Sequence, residues 1–267
     1  MRHGRRLTGL TLLALLGAAA YAGPYLTRWS WTGVDVTAFG EPPSVTHWLG
    51  TTPAGRDVYA VTLRALRRSL VIGLLVASGA TSLAAVTGAM AGYLGGWPDR
   101  LLLWGTDLFL IFPPFLIAAV ASPVVAGTAG TALLLTGLLW PVTARAVRAA
   151  TRSLREEGYV LAARQLGAPA WMIVRRHLLP NLVSLLLADA TLNTGAAIVA
   201  ESGLSYFGFG VRPPDVSLGT LLADGAPSAT VFPWLFLPPV GLLILVLLAV
   251  DLAGAGLLGP PSLRERG

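Results

Sequence analysis

The chain has 267 residues, 54% hydrophobic and only 12% charged, whereas a soluble globular domain carries about a quarter charged residues. It has no cysteine, which excludes disulfides, thiolate catalysis and cysteine metal sites. It also has no lysine, so it cannot supply the Gly-Lys-[Ser/Thr] of a phosphate-binding Walker loop, and its net charge of +6 reads as loop arginines facing anionic lipid rather than nucleic acid.

Six windows are long and apolar enough to cross the roughly 30 Å hydrocarbon core as helices: 7–26, 69–93, 101–121, 125–144, 182–200 and 234–258. The fold class is therefore all-α, a polytopic membrane protein with six transmembrane helices. The first window has a basic head and an Ala20-x-Ala22 site, so it also fits a cleaved signal peptide; a retained first span is the expectation. With the N-terminus inside, six spans return the C-terminus inside. The inner segments then hold 13 arginines (Arg2, Arg5, Arg6, Arg100, seven from Arg145 to Arg176, Arg264 and Arg266). The outer segments hold 6, namely Arg28, Arg56, Arg64, Arg67, Arg68 and Arg212, so this orientation obeys the positive-inside rule.

Pro113-Pro114, Pro141 and Pro238-Pro239 each remove a helical hydrogen bond and mark a kink or a helix end. Gly88, Gly92 and Gly96 recur at four-residue spacing, which lets helix backbones approach closely.

Between the fourth and fifth spans lies the polar stretch YVLAARQLGAPAWMIVRRHLLPN, residues 159–181. Ser153-x-x-Glu156 has the capping-box pattern, which predicts a helix starting near Leu154. Gly167 suits its left-handed C-terminal cap, Pro169 the first turn of a second helix, and Pro180 the end of that helix. The expected limbs are about 20 and 16 Å long at 1.5 Å per residue. Ala162, Ala163 and Ala168 leave room around the turn. Two readings fit these residues: a protrusion seated in a partner's groove, and an amphipathic helix lying on anionic lipid.

The stretch resembles the cytoplasmic loop signature of ABC importer permeases, which reads Glu-Ala-Ala, three residues, Gly, nine residues, Ile-x-Leu-Pro. Ala162, Ala163, Gly167, Leu179 and Pro180 stand at the matching positions, with Leu161 in place of Glu and His177 in place of Ile. AESGLSYFGFGVRPPDVSLG (200–219) and LGTTPAGRDVYAVTLRALRRSL (49–70) are similar to two further stretches of the peptide and nickel branch. In the second, Gly50, Thr51, Gly55, Arg56, Asp57, Arg67, Ser69 and Leu70 match, and Thr52 replaces an Asp. GYLGGWPDRLLLWGTDLFLIFPPFL (92–116) resembles the segment linking the second and third spans. The ending VDLAGAGLLGPPSLRERG departs from the branch's Asp-Pro-Arg close. The whole most resembles the shorter permease subunit of dipeptide/oligopeptide importers.

The resemblance implies a type I permease. Residues 1–68 would form the first helix and an extracytoplasmic segment; 69–267 would form a core of five helices with a coupling hairpin at 153–180. Tyr159, Ala162, Ala163, Gly167, Ala168, Pro169, Leu179 and Pro180 would seat the hairpin in a separate ATPase subunit. That subunit would bind ATP and Mg; this chain would bind no cofactor and catalyse nothing. The other implied partners are a second homologous permease, an extracytoplasmic substrate-binding protein and membrane lipid. The expected location is the cytoplasmic membrane.

Carboxylates in or near spans are costly, so Asp107, Asp189, Glu201 and Asp251 are functional candidates, each against a structural hydrogen bond or ion pair. Glu201 would sit at the outer mouth and meet a peptide ammonium group. Asp251 suits a structural role. The loop 201–233, with Tyr206, Phe207 and Phe209, is read as a flap, a docking surface or an ordinary outer loop. His3, His47 and His177 lie outside the spans, which argues against Ser–His hydrolysis within the membrane and against a histidine metal cluster. The alternatives carried forward are a proton-coupled transporter using Asp107 and Asp189, and an importer of nickel or haem-type cargo.

Overall fold

The computed structural model of the chain describes residues 2–125 and 127–255. The expected end of the last span at 258, the tail arginines Arg264 and Arg266, and most of the variant ending lie outside the described residues.

Among the described residues, helices dominate: α1 (Arg2–Ala22), α2 (Val58–Leu94), α3 (Gly96–Ile111), α4 (Pro114–Ala121), α5 (Gly127–Leu154), α6 (Gly158–Gln165), α7 (Ala170–Ile173), α8 (Leu179–Tyr206), α9 (Leu218–Gly225) and α10 (Pro233–Ala255). Five helical runs are long and apolar enough to cross a membrane, and α3 with α4 makes a sixth if that bent pair is one span. The all-α polytopic expectation holds.

The longest helices depart from the expected windows in an instructive way. α2 begins at Val58 rather than at residue 69, because Asp57 caps it by accepting the Ala60 N–H at 2.8 Å. Its early arginines read as loop charges, yet they are accommodated on the helix. The Arg64 and Arg67 guanidinium groups lie 4.9 and 4.3 Å from the rings of Trp31 and Tyr21, and Arg68 pairs with Asp215. α5 likewise runs on to Leu154, past the expected end at 144, and Pro141 sits inside it.

Two consecutive glycines with positive φ, Gly95 at 66° and Gly96 at 58°, turn α2 into α3. α3 and α4 meet at an 81° bend. Pro113 forces Phe112 into extended backbone (φ −89°, ψ 137°), so the third window is a broken helix rather than a straight span.

α2 is the central rod. α5 packs along it through Gly88 and Gly92, where an added Cβ would meet the Ala144 and Arg148 carbonyl oxygens at 2.5 and 2.7 Å. Gly96 has no such role: nothing lies within 4 Å of its Cβ position. α1 rests on α10, where a Cβ at Gly9 would meet the Ala249 carbonyl oxygen at 2.8 Å. Four apolar clusters follow, the smallest joining Ala84, Ala91, Leu102 and Ala144 between α2, α3 and α5. One joins Leu16, Leu66, Ile198, Leu218 and Val246 at the end carrying α9. One lies mid-bundle around Ile72, Val76 and Leu135. The third, around Val147, Val160, Ile173 and Leu178, sits under α6 and α7.

The outer stretch 201–233 is more ordered than a loop. α8 continues through Glu201 to Tyr206, and α9 opens with a capping box between Ser217 and Thr220.

Candidate functional site

The elbow formed by α6 and α7 is built by local backbone chemistry. α5 runs straight through Ser153, so the expected capping box there does not form; Glu157 occupies the N-cap position of α6 instead. Gly167 adopts φ 77°. Its N–H donates to the Arg164 carbonyl and the Ala168 N–H donates to the Ala163 carbonyl, both at 3.1 Å. Those two bonds are the Schellman closure, which satisfies the end of α6 and reverses the chain. Pro169 is the N-cap of α7 rather than a residue of its first turn, and the Met172 and Ile173 N–H groups donate to its carbonyl.

Pro180 does not end the second limb. Residues Val174–Leu178 form a π-turn that passes directly into α8, and the Leu179 N–H reaches the Val174 carbonyl. The wider turn makes room where the proline ring would strike the preceding helical turn. Ala170–Tyr206 is therefore one helical run of 37 residues. Leu179 packs inward with Leu178 and Leu182.

The elbow has two faces. Val160, Ile173 and Leu178 are buried inward, with Ala163 and Ala168 packed beside them. Outward it exposes Tyr159, Leu161, Ala162, Leu166 and Trp171; Leu166 is 88% exposed and Trp171 57%. The Tyr159 ring lies 6.3 Å from that of His177. Burial raises the Tyr159 phenol above its ordinary range, with the Glu157 carboxylate adding to it, so the group stays a neutral donor and acceptor.

The carboxylates in or near the spans divide by partner. Arg145 pairs with Asp107 and donates to Thr106 Oγ1 at 3.0 Å. Arg148 grips Asp99 with two nitrogens, Nη2 donating to Oδ2 at 2.7 Å. These pairs tie α3 to α5, and Asp99 was not singled out from sequence. The available signal was spacing: Asp99 and Asp107 lie about two turns apart, and Arg145 and Arg148 share a face of α5.

Asp189 joins three helices. Its Oδ2 accepts from Thr143 of α5 at 2.8 Å, Asn193 of α8 at 2.8 Å and Thr81 of α2 at 3.3 Å. Asn193 also donates to Thr143 at 3.0 Å. Asp251 is exposed near the end of α10.

Glu201 is placed differently from the expectation. It is 0% exposed rather than facing the outer mouth. Ser205 Oγ donates to it at 2.6 Å and Ser69 Oγ at 3.1 Å. Each serine in turn accepts a backbone N–H from the returning chain, Val211 at 3.0 Å and Leu218 at 3.3 Å. Glu201 thus pins segment 207–218 onto α2 and α8, because a carboxylate so buried must be matched by donors. A passing ammonium group does not reach it in this arrangement. Arg68 to Asp215 clamps the same segment from outside, and Arg212 donates to the Ser122 carbonyl at 3.1 Å. Tyr206 and Phe207 remain exposed beside this lock; Phe207 stacks edge-on with Phe115 of α4 at 5.4 Å.

His47, outside the spans as expected, is buried between two carboxylates. Its Nδ1 lies 2.9 Å from Asp57 and its Nε2 3.4 Å from Asp35, under the Trp29 ring at 4.7 Å. Hydrogen bonds from the Thr37 hydroxyl and backbone hold the Asp35 carboxyl below its ordinary range. With His47 between them, the two acids do not converge on a common point, and among the described residues no His/Asp/Glu group is arranged to hold a metal ion.

A family model described as the binding-protein-dependent transport system inner membrane component matches residues 84–257, a stretch that takes in α5, the elbow, Asp189 and Glu201. The chain belongs to that family. This membership disfavours the proton-coupled alternative for the permease. The permease is 46% identical over 260 residues to the oligopeptide transport system permease protein OppC of Mycobacterium tuberculosis, covering 96% of this chain and 89% of that one. The protein of the same name from Mycobacterium bovis matches equally, and that of Bacillus subtilis is 31% identical, covering 94% of this chain and 83% of that one.

Proposed function

We propose that this permease is a transmembrane subunit of an ATP-driven importer of short peptides, moved by separate ATPase subunits that grip its elbow. The observation that carries the coupling role is the two-faced elbow. Its inner face is sealed to α2, α5 and α8, while a rigid glycine turn presents Leu166 and Trp171 bare to the outside. Exposed apolar side chains on a stiff, fully hydrogen-bonded turn suit insertion into a partner's cleft. The peptide cargo is inferred from the relatives named above.

In this reading the elbow end faces the cytoplasm, with both termini on that side, as the arginine distribution favours. A second, homologous permease completes the pathway. ATP and Mg are bound by the ATPase partners, and a binding protein delivers cargo at the end carrying α9. Asp189, Tyr206 and Phe207 are the pathway candidates: Asp189 because its network contacts gather on one oxygen, the aromatics because they stay exposed beside the lock. Asp107, paired with Arg145, and Glu201, sealed by serines, take structural roles.

The test is Leu166→Asp combined with Trp171→Asp in the co-expressed importer. Both side chains are exposed, so folding survives. ATPase subunits are expected to be lost on purification and ATP-driven peptide uptake to fall to background. Retention of the subunits with full uptake would reject the coupling role.

A further inference from the structure

Where α1 ends, a cavity of about 370 Å³ opens between residues 24–31 and the first turns of α2. Arg28, Arg64 and Arg67 line it together with Trp29 and Trp31, and no carboxylate stands among its lining residues. Each guanidinium lies over an aromatic ring: Arg28 is 4.9 Å from the Trp29 ring, and Arg64 and Arg67 cover Trp31 and Tyr21. A ring takes the flat face of a guanidinium and leaves the N–H groups at its edge for another partner. Among the described residues, Arg28 and Arg67 make no ion pair, and Arg64 reaches Asp215 only at 3.9 Å, an acid that Arg68 already holds. Arg28 and Arg67 are exposed and Arg64 partly so, which leaves their edges open to a guest. Three like charges on one wall repel one another, and an anion set between them reverses the sign of that energy.

Position decides which anion. α1 has 21 residues, about 30 Å, which matches the hydrocarbon core, so its last turn marks the bilayer edge. Tyr21, under Arg67, belongs to that turn. Tyr25 and Leu26 follow it, 89% and 67% exposed, and set bare apolar surface beside the charges. Arginine among tyrosine and tryptophan at this level suits lipid headgroups. α1 packs chiefly on α10, at the margin of the bundle, where lipid has access. A soluble acidic partner would answer the arginines and leave Tyr25 and Leu26 in water. A phospholipid answers both, since its phosphodiester fits the guanidinium fork and its chains are apolar.

We propose that this cavity seats the phosphodiester headgroup of an anionic phospholipid, in the outer leaflet if the chain is oriented as above. Arg28, Arg64 and Arg67 donate to the phosphate oxygens, while Tyr25 and Leu26 lie among the upper acyl carbons. Three uncompensated positive charges repel a headgroup that carries an ammonium, so the site selects anionic over zwitterionic lipid. The assignment goes beyond the import reading and does not depend on the cargo.

The experiment takes the whole importer in nanodiscs of phosphatidylethanolamine with a trace of phosphatidylglycerol bearing a photoreactive group on its glycerol head. Illumination is expected to label residues 20–31 or 60–67, and unlabelled phosphatidylglycerol to compete. Arg28→Gln with Arg67→Gln, at two exposed positions without ion pairs, should lower the yield about tenfold, the loss of a charge-assisted contact. Label spread over all the spans, an equal yield from a phosphatidylethanolamine probe, or competition by inorganic phosphate overturns the lipid assignment. So does unchanged labelling in the variant; if that variant also retains less of the extracytoplasmic binding protein, the arginines belong to that contact instead. The comparison of the two lipid probes needs no variant to assemble.

Discussion

Gly88 of α2 lies against the backbone of Ala144 in α5, so closely that a Cβ at residue 88 would stand 2.5 Å from the Ala144 carbonyl oxygen. Backbone cannot step aside as a side chain can. Gly88→Val is therefore expected to part the two helices and lower stability by about 1–3 kcal/mol or more. Thermal unfolding of the purified permease in detergent measures this. Gly137→Ala, at a position where the added carbon meets nothing within 4 Å, is the matched control and should unfold like the wild type.

Gly167 presents the opposite case. Its surroundings are open, with nothing within 4 Å of the Cβ position, but its φ is 77°. Any cost is then conformational, about 1–2 kcal/mol for a side chain in the left-handed region. Gly167→Val should lower the thermal midpoint by no more than that cost while deforming the elbow and cutting ATP-driven uptake to background. Gly158→Ala, at the ordinary helical start of α6, should transport normally.

The Asp99–Arg148 pair separates two effects. Asp99→Asn leaves a guanidinium mostly enclosed without its counter-ion, and loss of one partner of a buried pair costs about 3–5 kcal/mol. Replacing both, Asp99→Asn with Arg148→Gln, is expected to recover most of that loss. A double-mutant cycle on thermal midpoints checks it; no recovery would mean that the two side chains act independently.

Asp224 makes a prediction in pH. Burial raises its carboxyl above the ordinary value of 3.8, and the nearby Arg56 charge offsets only part of that. The folded chain therefore binds this proton at a pH where the unfolded chain has already lost it. Stability from this group is full below 3.8 and falls as pH climbs through the raised folded value. Asp224→Asn should flatten stability between 3.8 and that raised value, and raise the thermal midpoint above it.

Much of the architecture was legible because lipid imposes a simple rule on helix length and composition. The elbow was legible at Gly167, whose left-handed turn the sequence pattern announced. The misplaced helix bounds share one cause: charge was taken as a sign of a loop. Arg64, Arg67 and Arg68 sit on α2 because Trp31, Tyr21 and Asp215 receive them, and Arg145 and Arg148 sit on α5 because Asp107 and Asp99 do. Those partners are distant in the chain. Glu201 was misplaced for a related reason. Its setting depends on Ser69, which is 132 positions away, so no local window contained it. Pro180 misled because a π-turn, invisible to composition, absorbs the ring.

That π-turn carries a mechanical consequence. Ala170 and Glu201 ride on the same unbroken shaft of 37 residues, about 55 Å from tip to tip. Under the proposed coupling, a displacement of the elbow is handed to Glu201 through continuous helix, with no loop between them to absorb it.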